Sequence, residues 1–152
     1  MDVARLGRGE VLAVLGGLLL AIGLFLPWYQ TNPDNPNAEI DGATGTFSGW
    51  EAHPILCWPL LAASLAPLVL AWIVVRDHEL SWPRGELTGV VAMIAFVLVL
   101  YVGVVARPGS PSGEISLELG WYVAALGALL EIAGGATRAG STERPRKPPG
   151  VL

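Results

Sequence analysis

The sequence predicts an all-α protein of four transmembrane helices in an up-down-up-down bundle, and three observations lead to this fold class. The chain of 152 residues is 53% hydrophobic and only 14% charged, whereas soluble domains carry about 25% charged residues. Four apolar runs each approach the roughly 20 residues that a helix needs to cross a bilayer. Nearly all basic residues then fall on one side of that bilayer, as they do in multi-pass proteins.

The predicted spans cover residues 11–29, 55–75, 87–106 and 119–137 and together form one membrane domain, residues 1–137. Each run is apolar around its whole circumference, which is typical of helices in lipid. We expect the first run to be retained rather than cleaved as a signal peptide, because it lacks a convincing small-residue cleavage site. Residues 138–152 are basic, Pro-rich and without periodicity, which predicts a disordered cytoplasmic tail.

Charge is sorted across the predicted bilayer. The inner side holds eight of the nine basic residues: Arg5, Arg8, Arg76, Arg84, Arg138, Arg144, Arg146 and Lys147. The outer side holds Arg107 and the acids Asp34, Glu39, Asp41, Glu51, Glu114 and Glu118. The positive-inside rule therefore predicts that both termini are cytoplasmic. Arginine outnumbers lysine eight to one, a bias associated with high-GC bacteria, so we expect the plasma membrane of a bacterial cell.

Aromatic residues cluster near both predicted boundaries, where amphipathic rings favour the headgroup region. The outer boundary carries Trp28, Tyr29, Trp50, Trp58, Trp121 and Tyr122, and the inner boundary carries Trp72 and Trp82. We expect these side chains to anchor the spans at the membrane interface.

Small residues recur along three spans, and in lipid they allow helices to approach closely. The first span carries Ala13, Gly17 and Ala21, the second Ala62 and Ala66, and the fourth Gly120, Ala124, Gly127, Ala128, Gly134 and Gly135. We expect these faces to contact other helices of the bundle, a partner protein or a second copy of the chain. The third span is rich in large aliphatic residues, so we expect it to be the most lipid-exposed. Pro67 is expected to kink the second span.

Glu131 is the one acid inside a predicted span, and it falls on the small-residue face of the fourth helix. One interpretation is a proton- or cation-coupled site in a small oligomeric transporter or channel component. The other is a structural carboxyl, neutral or paired with Arg138, Arg76 or Arg8, or hydrogen-bonded by Thr88. The structural interpretation is favoured, because a relay needs more polar groups along a path than these spans contain.

The longest loop, residues 30–53, is rich in Asn, Pro, Asp and Gly, which favour turns. A short hairpin is possible at 38–50 around Asp41–Gly42. Three oxygen-bearing residues resemble the start of an EF-hand loop: Asn37, Glu39 and Asp41. Ser48 stands where the glutamate ligand belongs, and no helix pair flanks the loop. We therefore predict neither a metal nor a cofactor.

Trp50, Glu51 and His53 precede the second span and are candidate functional residues. Glu51, His53 and Cys57 are close enough in sequence for a catalytic cluster, but Pro54 places His53 before the helix and Cys57 in its first turn. A structural interpretation is simpler: Trp50 anchors the loop, and Glu51 accepts hydrogen bonds at a helix N-terminus. The single cysteine excludes an internal disulfide and a CxxC motif.

Four short motifs carry a resemblance to known sequences. They are "FLPWY" (Phe25–Tyr29), "SGWEA" (Ser48–Ala52), "RPGSPSG" (Arg107–Gly113) and "LGWYVAALGAL" (Leu119–Leu129). The chain resembles a group of small, uncharacterised four-span membrane proteins from high-GC bacteria. The resemblance implies the topology and an outer-face arrangement of Trp28, Tyr29, Trp50 and Glu51, but no activity. His53 stands where the group has phenylalanine.

The sequence therefore favours a non-enzymatic integral membrane protein that acts through contacts with a partner protein or with itself. A transporter or channel component that uses Glu131 is the alternative. A membrane enzyme ranks last, because it would need Glu51, His53 and Cys57 to converge on one pocket. We expect the bilayer as an environment and no nucleic acid as a partner.

Overall fold

The computed structural model describes residues 7–76 and 84–141. In chain order the elements are α1 (Arg8–Phe25), β1 (Pro27–Thr31), β2 (Thr46–Ser48), α2 (Gly49–Ala52), α3 (Pro54–Val75), α4 (Arg84–Leu100), β3 (Ile115–Leu117) and α5 (Leu119–Ser141). A π-helical segment, Tyr101–Val105, continues α4, and a 3-10 turn, Ser112–Glu114, leads into β3. Within the described part, α1, α3, α4 with its π-helical extension, and α5 are long and apolar enough to cross a membrane.

The first predicted span ends too late. Helix α1 stops at Phe25, and Leu26 is already extended, with φ −81° and ψ 160°. Pro27 explains this, because a proline disfavours the helical conformation of the residue before it and here begins a strand. At the other end of the chain, α5 extends to Ser141, so the predicted tail is helical over its first four residues. The rest of that tail, 142–152, lies outside the described residues.

Helices α1 and α5 form the most closely packed pair, and their small residues face each other. We call this contact the seam; it comprises Gly9, Ala13, Gly16, Gly17, Leu20 and Gly23 of α1, and Ala124, Gly127, Glu131 and Gly134 of α5. A Cβ on Gly127 would lie 2.4 Å from the backbone nitrogen of Leu20. Backbones this close require glycine. The predicted faces of the first and fourth spans therefore meet inside one chain, although Ala21 is only half-buried.

Helices α3 and α4 are the more exposed pair. Each buries 33% of its membrane-length window, against 50% for α5. The third predicted span, which is α4, was expected to be the most lipid-exposed, but α3 is exposed to the same extent. The exposed side of α3 also carries large apolar residues such as Val69 and Trp72. An apolar groove of about 370 Å³ runs between α3 and α4, and Ala62 and Ala66 line it.

A three-stranded antiparallel sheet covers one end of the helices, which corrects the all-α prediction. Its strand order is β2-β1-β3, and Tyr29 in β1 pairs with Phe47 on one side and Leu117 on the other. We call residues 26–53 and 106–118, which include the sheet and α2, the cap. Strands of three to five residues are too short for apolar periodicity to reveal them.

The hairpin predicted at 38–50 is present only as a tight turn. Ile40 and Ala43 exchange backbone hydrogen bonds of 2.9 and 3.0 Å, and Asp41 and Gly42 between them have φ of 49° and 78°. These positive values match the turn that joins two-residue hairpins. The strand that follows, β2, pairs with β1 instead, so the loop folds back on the end of α1.

Several predicted interface anchors are core residues. Trp28 and Tyr29 are fully buried, and Trp121 is nearly so. The indole of Trp28 donates a 2.7 Å hydrogen bond to the carbonyl of Gly23, and that of Trp121 donates to Val99 at 2.9 Å. Trp58, Tyr122 and Trp72 are exposed, as anchors must be. Trp82 lies outside the described residues.

Candidate functional site

Glu131 lies in the middle of the seam and is 0% exposed. The face on which it was predicted to lie is the buried face of α5, which includes Ala124, Gly127 and Ala128. Within residues 7–76 and 84–141, neither carboxyl oxygen of Glu131 has a hydrogen-bond partner. A buried polar group without a partner is costly, so this side chain needs an explanation.

Two glycines of α1 lie against the Glu131 side chain, and one of them, Gly17, also lies against α3. A Cβ on Gly16 would lie 2.9 Å from Glu131 Cγ, and a Cβ on Gly17 would lie 3.1 Å from Glu131 Oε1. The same Gly17 position is 2.3 Å from the backbone oxygen of Ser64 and 2.9 Å from Cγ of Pro67. Because Gly16 and Gly17 have no side chains, α1 leaves space at this level for the Glu131 side chain to extend toward α3. We call Gly17, Ser64, Pro67 and Glu131 the junction.

The predicted partners of Glu131 are engaged elsewhere or do not reach it. Arg138 forms an ion pair of 2.7 Å with Glu10, and both side chains are 12% exposed. The guanidinium of Arg76 lies 4.8 Å from the centre of the Trp72 ring. Arg8 is exposed at the start of α1, and Thr88, although buried, makes no hydrogen bond to Glu131. Sequence reasoning missed Glu10 as the partner of Arg138, because no local pattern connects residues so far apart.

Trp50 and Glu51 have structural contacts at the start of α2. Glu51 Oε2 accepts hydrogen bonds from the backbone nitrogen of Ser48 at 2.7 Å and from its hydroxyl at 2.8 Å. These bonds lower the pKa of the exposed Glu51 carboxyl. The Trp50 ring packs between Phe25 and Trp58, with ring centroids 5.7 and 5.1 Å away. Its buried indole nitrogen has no hydrogen-bond partner within the described residues.

His53 contacts Tyr29, a pairing that the sequence did not indicate. The Tyr29 hydroxyl lies 3.0 Å from His53 Nε2 and donates to the carbonyl of Val102 at 3.2 Å. Since that hydroxyl has one hydrogen, both bonds form together in the His53 tautomer that carries its hydrogen on Nε2. Burial lowers the pKa of His53, and the charge of Asp41 opposes this shift. Burial likewise raises the pKa of Tyr29.

Glu51, His53 and Cys57 do not form a catalytic cluster. The carboxylate of Glu51 is exposed to solvent and accepts a hydrogen bond from the Ser48 hydroxyl, whereas Nε2 of His53 contacts the hydroxyl of Tyr29. Cys57 is fully buried in the core. The described residues contain no group of three or more His, Cys, Asp or Glu side chains that could hold a metal ion.

Arg107 is a further residue with a defined position. Its side chain donates to the carbonyls of Gly103 at 3.1 Å and Ile115 at 2.7 Å. It thereby joins the π-helical segment to β3 and satisfies a carbonyl at a helix end. A cleft of about 510 Å³ lies beside it, also lined by Gln30 and Glu114. A lone arginine gave no sequence signal for this role.

No protein-family model matches the chain, and comparisons with curated proteins and with solved structures give no match.

Proposed function

We propose that this chain is a multi-pass protein of a bacterial plasma membrane, an up-down-up-down bundle with both termini in the cytoplasm. The four apolar helices support the membrane assignment. The sorting of basic residues supports the orientation. Cap segments adjoin the end of α1, the start of α3, the end of the π-helical extension of α4 and the start of α5, which agrees with all four of these ends lying on the outer side. We also propose that the group its four motifs resemble is its family.

We propose that the protein acts through contacts with a partner and not as an enzyme. The observation that carries this proposal is the cap: loops that a simple bundle leaves irregular form a sheet with a buried core. The cap presents exposed carboxylates at Asp34, Glu39 and Asp41. An ordered acidic surface favours a partner with a basic face, because complementary charge directs association.

Helix faces offer a second way to contact a partner or another copy of the chain. The seam residues of α1 and α5 are in contact inside the chain, so they are not available for this purpose. Helix α3 differs, because Ala62 is exposed and Ala66 is half-buried beside the apolar groove. An oligomer built on small-residue packing would therefore form through α3 and not through the seam.

A transporter or channel component is the second candidate, and the unpartnered Glu131 is the observation that favours it. Such a role requires water to reach the carboxyl in at least one state. In this conformation Glu131 is fully buried among glycines. We therefore rank contact with a partner first.

Photocrosslinking in cells tests the ranking. A photoreactive residue at Asp34 or Asp41, both exposed on the cap, is expected to yield a discrete protein adduct. The matched control is Val97, which is also exposed but lies within α4, where we expect lipid adducts only. A protein adduct at Val97 and none on the cap would move the partner surface to the helices. No protein adduct at any site would contradict the proposal.

A further inference from the structure

The junction brings the Glu131 carboxyl of α5 and a backbone carbonyl of α3 to the same glycine of α1, Gly17. Glu131 Oε1 and the backbone oxygen of Ser64 both lie within 3.1 Å of the position that a Gly17 Cβ would occupy. Carboxylate oxygens and carbonyl oxygens are both acceptors, so the two groups cannot bond to each other without a hydrogen between them. A carboxylic acid supplies that hydrogen, because its O–H is a donor.

Pro67 leaves a second carbonyl oxygen of α3 without its helical donor. Pro67 has no backbone N–H, so the carbonyl of Ala63, one turn earlier in α3, lacks its usual helical donor. Ser64 does not fill the vacancy with its own hydroxyl, because that group donates to Leu61 at 2.7 Å. Helix α3 thus offers carbonyl oxygens to a donor arriving from α5.

Among residues 7–76 and 84–141, no hydrogen-bonded partner holds the Glu131 carboxyl in its ionised form. On α1 the charged residues are Arg8, which is exposed, and Glu10, which pairs with Arg138 of α5 itself. Helix α3 has no charged residue between Pro54 and Val75, and its one titratable group is Cys57. Helix α4 has Arg84 and Glu86 in its first turn. An ionised carboxylate buried without a partner is strongly disfavoured.

We propose that Glu131 is a proton-binding site, a neutral carboxylic acid at physiological pH whose O–H is donated to the α3 backbone beside Pro67. The bound proton joins α5 to α3 through the gap left by Gly17. This inference goes beyond the proposed contact with a partner and does not depend on it.

Infrared spectroscopy of the full chain in lipid vesicles tests the proposal. At pH 7 exposed carboxyls are ionised, so wild type is expected to show the C=O band of one protonated carboxylic acid. Glu131→Gln keeps the size of the side chain and should abolish this band. Glu118→Gln, a carboxyl of the cap, is the matched control and should leave the band unchanged. If Glu131→Gln does not fold, Glu131→Asp assigns the band by shifting its frequency.

Two results would overturn the inference. The first is wild-type protein without a protonated-carboxyl band at pH 7, or with a band that survives in a folded Glu131→Gln variant. The second is a band that disappears when sodium replaces a large organic cation at constant pH. That result would make the junction an alkali-cation site instead of a proton site.

Discussion

Glu10 and Arg138 lie 128 positions apart in the chain, yet their side chains form an ion pair of 2.7 Å at the end of the seam opposite the cap. The pair joins the start of α1 to the last turns of α5. Next to it, a Cβ on Gly9 would lie 2.9 Å from the carbonyl of Gly134, so the backbones are in direct contact there. The first and last helices of the chain are therefore fastened together at this end.

A double-mutant cycle on Glu10→Gln and Arg138→Gln should show coupling of about 1 kcal/mol in the free energy of unfolding in detergent. Both side chains are largely buried, so we expect a coupling energy near the upper end of the range that such ion pairs show. The cycle isolates this pair from other contacts of Arg138. Additive effects of the two substitutions would show that the pair contributes nothing.

Gly127→Ala should destabilise the protein by about 1–3 kcal/mol, because the new methyl group would collide with the backbone of α1 at Leu20. Gly89→Ala is the matched control. A Cβ on Gly89 meets no atom within 4 Å, and alanine is the better helix former by roughly 0.5–1 kcal/mol. Thermal unfolding in detergent measures the stability of both variants. Equal changes in stability would contradict the close approach of α1 and α5.

His53 should make the stability of the cap depend on pH. Its folded-state pKa is lower than its ordinary value of 6.5, so below about pH 6.5 the unfolded chain binds a proton that the folded chain does not. The free energy of unfolding should therefore fall as the pH decreases from 6.5 toward the folded-state pKa of His53. Above pH 6.5 this contribution to stability should be fully present. His53→Phe should remove this component of the pH dependence in thermal unfolding. An unchanged pH profile in the variant would show that other groups are responsible.

Cysteine labelling in intact cells should confirm the proposed orientation. In a Cys57→Ala background, Asp34→Cys on the cap should react with a membrane-impermeant maleimide from outside. Glu86→Cys, exposed at the start of α4, should react only after the cells are permeabilised. The reverse pattern would invert the topology, and labelling of both from outside would mean that α3 does not cross the membrane.

The sequence predicts the helices well and the cap poorly, for physical reasons. Apolar length marks a membrane helix locally, and the spacing of Gly120, Ala124 and Gly127 reveals the buried face of α5 without any knowledge of its neighbours. Strand β1 was missed because "PWY" continues the apolar run of α1, and only pairing with distant segments makes it a strand.

The candidate site divides in the same way. The burial of Glu131 follows from its position on the small-residue face of α5. Its surroundings do not, because Ser64 and Pro67 of α3 meet Glu131 of α5 at Gly17, which belongs to a third helix. The contact of Tyr29 with His53 and the pairing of Glu10 with Arg138 likewise depend on the fold and have no local signature.

The most direct test of the central claim, a seam closed to water around Glu131, is the reactivity of Ser64→Cys. Serine and cysteine are similar in size, and Ser64 is fully buried at the junction. In a Cys57→Ala background we expect no reaction with a water-soluble thiol reagent from either side of the membrane, while Asp34→Cys reacts readily. Reaction at Ser64→Cys in the folded protein would show that water reaches Glu131. It would contradict the closed seam and favour the transporter.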